Sequence, residues 1–204
     1  KGVTEQSFLG KYPVNVIYNG VDLDVFRPTP GNFREKYNLQ DKFIILGVAS
    51  VWTEKKGLPD FVKLNEMLHD NQVIVLVGLS DSQIASLPKG IIGIKRTSSV
   101  KELAEIYSTA DVYVNPSKEE TMGLTTAEAL ACGTHAVVYD ETAVPEVVDN
   151  SCGIVVKTGD IDALYNAISS ADFSKDACIE RAKAFERNKQ YGKYYELYKQ
   201  ILNG

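Results

Sequence analysis

Residues 111–139 read DVYVNPSKEETMGLTTAEALACGTHAVVY, and this stretch contains one full unit of the pattern that decides the fold. Two apolar runs, 111–114 and 136–139, flank a helical pattern over 122–132, and Gly133 is placed to end that helix in the left-handed conformation. The apolar runs are nearly continuous rather than alternating, as in strands that a parallel sheet buries on both faces. The stretch therefore predicts two buried strands with a helix between them.

The same unit recurs along the chain. Further apolar runs lie at 14–18, 43–48, 73–77, 91–94 and 153–156. Further helical patterns lie at 58–69, 100–108, 144–148 and 161–169, and the pattern is wholly helical after Ala171. Pro59 suits the first turn of its helix, and Ser98 or Ser99 can cap the next helix with Glu102 reaching back. Strands alternating with helices predict an α/β fold, a doubly wound Rossmann-like parallel sheet with C-terminal helices.

The composition argues against several classes of protein. The 204 residues carry a net charge of −5, which gives no electrostatic reason to expect a nucleic-acid partner. The cysteines and histidines show no spacing typical of a zinc site, and three scattered cysteines suit a reducing compartment. No apolar run approaches the roughly 20 residues that span a bilayer, and no signal peptide opens the sequence. We therefore expect a cytoplasmic protein without a metal site.

The loop after residues 111–114 is the first place to search for a ligand, because open parallel sheets bind ligands at the carboxyl ends of their strands. Gly123 stands near the start of the following helix, where its missing Cβ leaves room for a ligand to approach. The N–H groups from Met122 through Leu124 to Thr125 have no partner within that helix. Unpaired N–H groups at a helix start suit a phosphate.

Two glutamates in this stretch are candidate site residues. Glu128 is the only charge between Thr121 and Thr134 and shares a helix face with apolar residues, so an ionised carboxylate there needs strong hydrogen-bond donors. Ribose hydroxyls would supply them, and so would the backbone of a neighbouring loop; the spacing leaves both open. Glu120 precedes the helix and either faces the same cavity near a sugar or is simply a carboxylate that the helix dipole favours.

Two other loops carry basic residues after predicted strands. Lys55 and Lys56 lie in the loop after 43–48, where a lysine can swing over a diphosphate or remain a solvated charge. Arg96 and Thr97 follow the run at 91–94 and can meet a base or a phosphate. Neither GxxxxGK[ST] nor GxGxxG occurs in the chain, so a nucleotide would be held in another way.

Several short motifs follow one another in a fixed order. They are YNGVDLDVFRP at 18–28, KG at 56–57, ELAEIYSTAD at 102–111, Glu120 and Glu128 with seven residues between them, ALACGT at 129–134, PE at 145–146 and GIVV at 153–156. Together they resemble the carboxyl-terminal domain of the family 4 glycosyltransferases, which have the GT-B architecture of two facing Rossmann-like domains. The resemblance implies one donor-binding domain over 1–204, with an interdomain segment at 1–28 and terminal helices at 172–204.

The resemblance also implies a role for each candidate residue. Glu128 holds the ribose hydroxyls, while Glu120 and Lys56 are catalytic, the first facing the donor sugar and the second neutralising the diphosphate. The implied donor-binding set is completed by Ser50, Lys55, Arg96, Thr97, Met122, Gly123, Leu124 and Thr125. The implied reaction is retaining transfer of a hexosyl-type group from a UDP- or GDP-sugar. It needs neither cofactor nor metal, because positive side chains and a helix N-terminus stabilise the leaving diphosphate.

Four positions depart from the usual pattern of that family. Val51 stands where an arginine is usual, so one cationic contact to the diphosphate is missing. Met122 replaces an aromatic residue, and His135 replaces a proline; we interpret this histidine as packed rather than catalytic. Thr142 and its neighbour replace a pair of glycines, which we expect to make the donor-sugar loop stiffer and bulkier.

The resemblance further implies a partner domain, because GT-B catalysis occurs in the cleft between two domains. The chain begins with Lys1 rather than Met, so we expect an acceptor-binding domain before it, through which any membrane contact would be made. We then expect this chain to bind the donor but to transfer sugar poorly or not at all. Two alternatives remain, half of a sugar-nucleotide epimerase and a degenerate, non-catalytic nucleotide-binding or assembly module. A receiver domain is rejected, because no acidic cluster ends the first long strand.

Overall fold

A six-stranded sheet organises the protein in the computed structural model, which describes residues 2–203. Strands β1 to β6 span, in chain order, Phe43–Val48, Gln72–Val77, Ile91–Ile94, Val112–Asn115, Ala136–Tyr139 and Gly153–Val156. All neighbouring strands are parallel, in the spatial order β3-β2-β1-β4-β5-β6. The chain therefore winds outward one way from β1 and the other way from β4, which confirms the predicted doubly wound Rossmann-like sheet.

Helices connect these strands and follow the last one. Helices α1 to α9 span, in chain order, Gly2–Glu5, Phe33–Lys36, Leu58–Asn65, Asp81–Ser86, Val100–Thr109, Leu124–Ala131, Ile161–Ser170, Lys175–Ala182 and Arg187–Asn203. Short 3-10 turns span Phe8–Lys11, Glu54–Lys56, Val144–Glu146 and Lys183–Phe185. Helices α8 and α9 confirm the helical pattern predicted after Ala171.

Both faces of the sheet are covered, which explains why its strands read as continuous apolar runs. On one face, Ile45 of β1 belongs to a buried cluster with Phe61 of α3 and Leu164 of α7. On the other face, Leu46 of the same strand belongs to a second cluster with Leu130 of α6. Helix α3, which follows β1, and helix α6, which follows β4, therefore lie on opposite faces.

Local signals at the helix ends agree with the sequence analysis. Pro59 occupies the first turn of α3. The Ser99 hydroxyl caps α5 by accepting the N–H of Glu102 at 3.1 Å, while the Glu102 carboxylate accepts the N–H and hydroxyl of Ser98, each at 2.7 Å. Gly133 follows α6 in the left-handed conformation, at φ +84°.

The prediction of a strand at 14–18 is wrong. Residues 14–17 line a surface cavity with Tyr194 and Leu197 of α9, so this apolar run lies beside a helix rather than within the sheet. A strand needs a neighbour to pair its N–H and C=O groups, and no ladder joins this segment to the sheet over residues 2–203. Backbone pairing occurs only later, where the N–H of Val21 donates to Phe185 and its carbonyl accepts the N–H of Arg187.

Three predicted helices are shorter than expected, and the helices α1, α2 and α4 were not predicted. Helix α3 ends at Asn65, and the pattern at 144–148 forms only the 3-10 turn Val144–Glu146. Helix α6 begins at Leu124 rather than at residue 122, because Gly123 has a φ of +85° and cannot be α-helical. The sequence pattern missed α4, although a capping box marks its start.

Arg34 of α2 joins several segments at the amino edge of the sheet. Its guanidinium donates to two carbonyl groups in the segment before β1, to the carbonyl of Thr109 and, at 2.7 Å, to Oδ2 of Asp111. The same Asp111 oxygen accepts the N–H of Ile44 at 2.7 Å. Arg34 thereby fixes the start of β1 beside the start of β4.

We expect Arg34→Met to lower the free energy of unfolding by about 2–3 kcal/mol, because several charge-assisted hydrogen bonds lose their donor. Guanidinium denaturation measures this change. The exposed Arg27→Met serves as the control and should shift stability by less than about 0.5 kcal/mol. Equal effects of the two substitutions would mean that the Arg34 contacts contribute no specific stability.

Candidate functional site

Two adjoining cavities open at the carboxyl ends of β1 and β4, where the strand order reverses. We call them the large cavity, of about 810 Å³, and the small cavity, of about 280 Å³. The residues that line both are Val48, Ala49, Ser50, Trp52 and Thr125. Because these residues form a shared wall, the two cavities are parts of one crevice at the switch point of the sheet.

Trp52 forms a rigid part of the shared wall. Its indole N–H donates to the carbonyl of Val77 at 2.8 Å, and its ring meets Phe61 edge-on at 5.5 Å between centroids. The side-chain amide of Gln83, which also lines the large cavity, donates to the Trp52 carbonyl at 2.9 Å. These contacts fix the wall before any ligand contacts it.

Glu128 projects from α6 into the lining of the large cavity. One of its carboxylate oxygens accepts a hydrogen bond from the Tyr107 hydroxyl at 3.0 Å. Burial raises the pKa of Glu128 to about 7, although the hydrogen bond from Tyr107 acts in the opposite direction. Burial also raises the pKa of Tyr107 well above its usual value, so this hydroxyl remains a donor at neutral pH. A half-buried carboxylate with spare lone pairs is suited to accept hydroxyl groups of a ligand.

Lys56 and Glu120 form an ion pair in the lining of the small cavity. The lysine Nζ lies 2.5 Å from Glu120 Oε2, and the two side chains are 30% and 18% exposed. The other oxygen of Glu120 accepts the N–H of Thr121 at 3.0 Å, and the Glu120 N–H donates to Thr142 Oγ1 at 3.0 Å. The carboxylate is therefore held from two sides, while the ammonium ends a flexible four-carbon stem.

Gly57 brings the loop after β1 against the loop after β4. It ends the 3-10 turn Glu54–Lys56 at φ +77°, and a Cβ built on it would lie 2.5 Å from Pro116. The N–H of Lys118 also donates to the carbonyl of Lys55 at 2.8 Å. The two loops can approach closely enough for the Lys56 ion pair only because position 57 has no side chain.

The start of α6 borders the small cavity. Leu124 and Thr125 line this cavity, and no side chain caps the helix at Gly123. Thr125 Oγ1 accepts the Tyr113 hydroxyl at 2.8 Å, which fastens the first turn of the helix to β4. This helix start offers backbone donors and a partial positive charge to an anion.

The structure brings together most of the predicted site residues. Glu128, Arg96 and Thr97 line the large cavity; Lys56, Glu120 and Leu124 line the small one; Ser50 and Thr125 line both. Lys55, Met122 and Gly123 are absent from both linings.

Lys55 and Met122 have other surroundings. Lys55 points away from its neighbour and pairs with the exposed Glu119 at 2.7 Å. Met122 is buried and lines a separate cavity of about 590 Å³ beside Tyr18, whose hydroxyl donates to Glu146. These two residues can therefore act on a ligand in the crevice only indirectly.

Three residues that shape the crevice were not predicted from the sequence. Trp52 and Gln83 form its wall, and Tyr107 orients Glu128. Trp52 had one usable signal, since it is the single tryptophan of the chain and follows a predicted strand. Tyr107 lies in the ELAEIYSTAD motif, but nothing in the sequence pairs it with Glu128, which is 21 residues away on another helix.

Thr142 adopts an unusual backbone conformation beside Glu120. Its φ of +54° lies in the left-handed region, which is rare for a β-branched residue. This conformation gives a physical reason for glycine at the corresponding position of the family that the sequence resembles. Here the threonine hydroxyl supplies a contact to the Glu120 N–H that glycine would lack.

The described residues, 2–203, contain neither a metal-binding cluster nor a membrane-spanning helix. Within residues 2–203, no three His, Cys, Asp or Glu side chains are grouped so that they could hold a metal ion. Over the same residues, no helix combines the length and the apolar character needed to cross a membrane.

Comparison with known proteins assigns a family. The family model described as "Glycosyl transferases group 1" matches residues 42–171, which include β1 to β6 and the whole crevice. The chain belongs to this family. It is 27% identical over 193 residues to alpha-maltose-1-phosphate synthase of Mycolicibacterium smegmatis, a match that covers 84% of this chain and 50% of that protein. The chain thus spans about half the length of this relative.

Solved structures of glycosyltransferases share the fold. Sucrose-phosphate synthase from Thermosynechococcus elongatus superposes with a TM-score of 0.84 at 24% identity, over 99% of this chain and 56% of that one. HepE of Anabaena, in a crystal structure with UDP-glucose, superposes with a TM-score of 0.78 at 16% identity, over 91% of this chain and 57% of that one. The predicted Rossmann-like fold of a GT-B carboxyl-terminal domain is therefore confirmed for this chain.

The titration of Glu128 predicts how stability depends on pH. The folded chain retains this proton up to about pH 7, while the unfolded chain loses it near the ordinary value of 4.5. The contribution of Glu128 to stability is thus full below pH 4.5 and is lost as pH rises through 7. We expect the Tm of Glu128→Gln, which cannot ionise, to rise relative to wild type across this range.

Thermal denaturation at several pH values measures the difference. The exposed Glu66→Gln, which removes the same kind of carboxyl group from the surface, is the control. A pH-independent difference for Glu128→Gln would show that this carboxyl titrates normally.

Proposed function

We propose that this chain binds the nucleotide-diphosphate sugar in a retaining glycosyl transfer, with the acceptor held by a second domain. The observation that carries the proposal is the crevice itself. A half-buried carboxylate, Glu128, stands in the large cavity, and an ion pair of Lys56 and Glu120 stands beside a helix start in the small one. This arrangement suits a nucleoside, a diphosphate and a hydroxylated sugar in that order.

The proposed contacts follow from the chemistry of each part. The nucleoside occupies the large cavity, where Glu128 accepts the ribose hydroxyls and the loop with Arg96 and Thr97 meets the base. The diphosphate lies at the start of α6, within reach of Lys56. Glu120 accepts hydroxyls of the sugar. The structure of HepE with UDP-glucose supports a UDP-sugar as the first ligand to test.

The proposed chemistry is electrostatic. When the bond between the anomeric carbon and the diphosphate oxygen breaks, the electron pair leaves with the diphosphate. Lys56 and the N–H groups at the start of α6 stabilise that negative charge, so no metal is required. Retention of the anomeric configuration and a hexosyl donor belong to this proposal, as do a cytoplasmic location and a separate acceptor domain.

A second candidate function is a non-catalytic nucleotide-binding module. Val51 favours it, because this valine lines the large cavity at the position where the family pattern has an arginine. Its side chain is 66% exposed and brings no charge to a diphosphate. Such a module would still bind nucleotide but would not support transfer with any acceptor domain.

Calorimetric titration with UDP, GDP, UDP-glucose and GDP-mannose tests donor binding. We expect one nucleotide series to bind, and Glu128→Ala to weaken it by about 1–3 kcal/mol, as for a charge-assisted hydrogen bond. The exposed Glu66→Ala should bind as wild type does. A folded chain that binds neither series, or a Glu128→Ala variant that binds normally, contradicts the proposal.

Transfer itself tests the role of the second domain. We expect this chain alone to release no sugar from the bound donor above the rate in buffer, because one wall of the catalytic cleft is missing. Release of UDP or GDP, followed by chromatography, measures turnover. Rapid turnover by this chain alone would show that it needs no separate acceptor domain.

A further inference from the structure

The ion pair between Lys56 and Glu120 joins the two loops that border the small cavity. Its geometry holds the Glu120 carboxylate in place and leaves the Lys56 ammonium able to move. Glu120 is held by the Thr121 N–H on its second oxygen and by Thr142 on its backbone, so the carboxylate stays in place when the ammonium leaves. Lys56 can reorient by rotating its side chain, which keeps the backbone of the tight turn unchanged.

A diphosphate at the start of α6 competes with Glu120 for the same ammonium. Lys56 is the one cation in the lining of the small cavity within the described chain, so the diphosphate draws on this side chain. Moving the ammonium leaves Glu120, only 18% exposed, without its counter-charge. A half-buried carboxylate that loses its partner is destabilised unless other donors replace it.

The sugar of the donor can supply those replacement donors. The hydroxyl groups of this sugar reach Glu120 only when it is attached to the diphosphate, whereas the ribose hydroxyls of a free nucleotide diphosphate lie at Glu128. The cost of removing Lys56 from Glu120 is therefore offset for the intact donor and remains for the free nucleotide, which is the product of the transfer.

We propose that the Lys56–Glu120 pair is a selectivity device, in which Lys56 exchanges between Glu120 and the diphosphate and thereby disfavours the free nucleotide diphosphate relative to the nucleotide-sugar. This inference rests on the proposed function and adds to it a coupling between the sugar subsite and the diphosphate subsite. The same coupling promotes release of the nucleotide once the sugar has been transferred.

The neighbouring pair provides a matched control. Lys55 and Glu119 also join the two loops, at 2.7 Å, but both side chains are more than 60% exposed and neither lines the crevice. Glu119→Gln removes the same charge as Glu120→Gln, one residue away along the same loop. A general electrostatic effect on an anionic ligand would therefore appear in both variants.

The test measures the dissociation constants of pyrophosphate, UDP and UDP-glucose, or the GDP and GDP-mannose pair if that series binds. We expect Glu120→Gln to bind pyrophosphate and the free nucleotide more tightly by about two- to fivefold, the size expected of one partly exposed ion pair. The affinity of the same variant for the nucleotide-sugar should not increase. In a Lys56→Met background, the added Glu120→Gln substitution should no longer tighten binding of the free nucleotide.

Three results would overturn the inference while leaving the proposed function intact. The first is an equal increase in the affinity of Glu120→Gln for all three ligands. The second is an increase of the same size in Glu119→Gln. The third is an unchanged affinity of Glu120→Gln for a free nucleotide that wild type binds. Failure of the proposed function looks different, since a folded wild type would then bind none of the nucleotides. Circular dichroism of each variant separates these outcomes from a loss of folding.

Discussion

The crevice depends on one topological constraint, the reversal of strand order between β1 and β4. These strands are neighbours, yet the helices that follow them, α3 and α6, cover opposite faces of the sheet. Their loops must diverge, and the carboxyl ends between them stay uncovered. The contact of Gly57 with Pro116 then brings the loops together again beyond the opening, which sets its width. The positions of the site residues follow from this arrangement.

The two glutamates of the crevice show how environment differentiates one residue type. Glu128 has the neutral hydroxyl of Tyr107 as its partner, and burial raises its pKa to about 7. Glu120 has the ammonium of Lys56 and a backbone N–H. The first can gain from any hydroxyl donor that enters the large cavity, whereas the second must give up a cation before it gains. In the proposed function, Glu128 would therefore favour the ligand directly, whereas Glu120 would favour it only after Lys56 has left.

The sheet was predictable from the sequence because burial on both faces makes its strands continuous apolar runs, and the 91–94, 136–139 and 153–156 runs match their strands at both ends. The same signal failed at 14–18, since an apolar run does not reveal whether its partner is a strand or a helix. In the site, Lys55 and Lys56 are adjacent and chemically equal in sequence. Only the tight turn ending at Gly57 sends them to different partners.

The absence of an arginine at Val51 gives the remaining cation more weight. Val51 lies exposed on the wall of the large cavity and offers a diphosphate no charge, so the small cavity relies on Lys56 and on the start of α6. A second cation would satisfy the diphosphate without disturbing Lys56 and would weaken any link between the sugar and diphosphate contacts. With valine at this position, a diphosphate bound as we propose would have to take the ammonium from Glu120. The departure from the family pattern and the ion pair are therefore two parts of the same electrostatic balance.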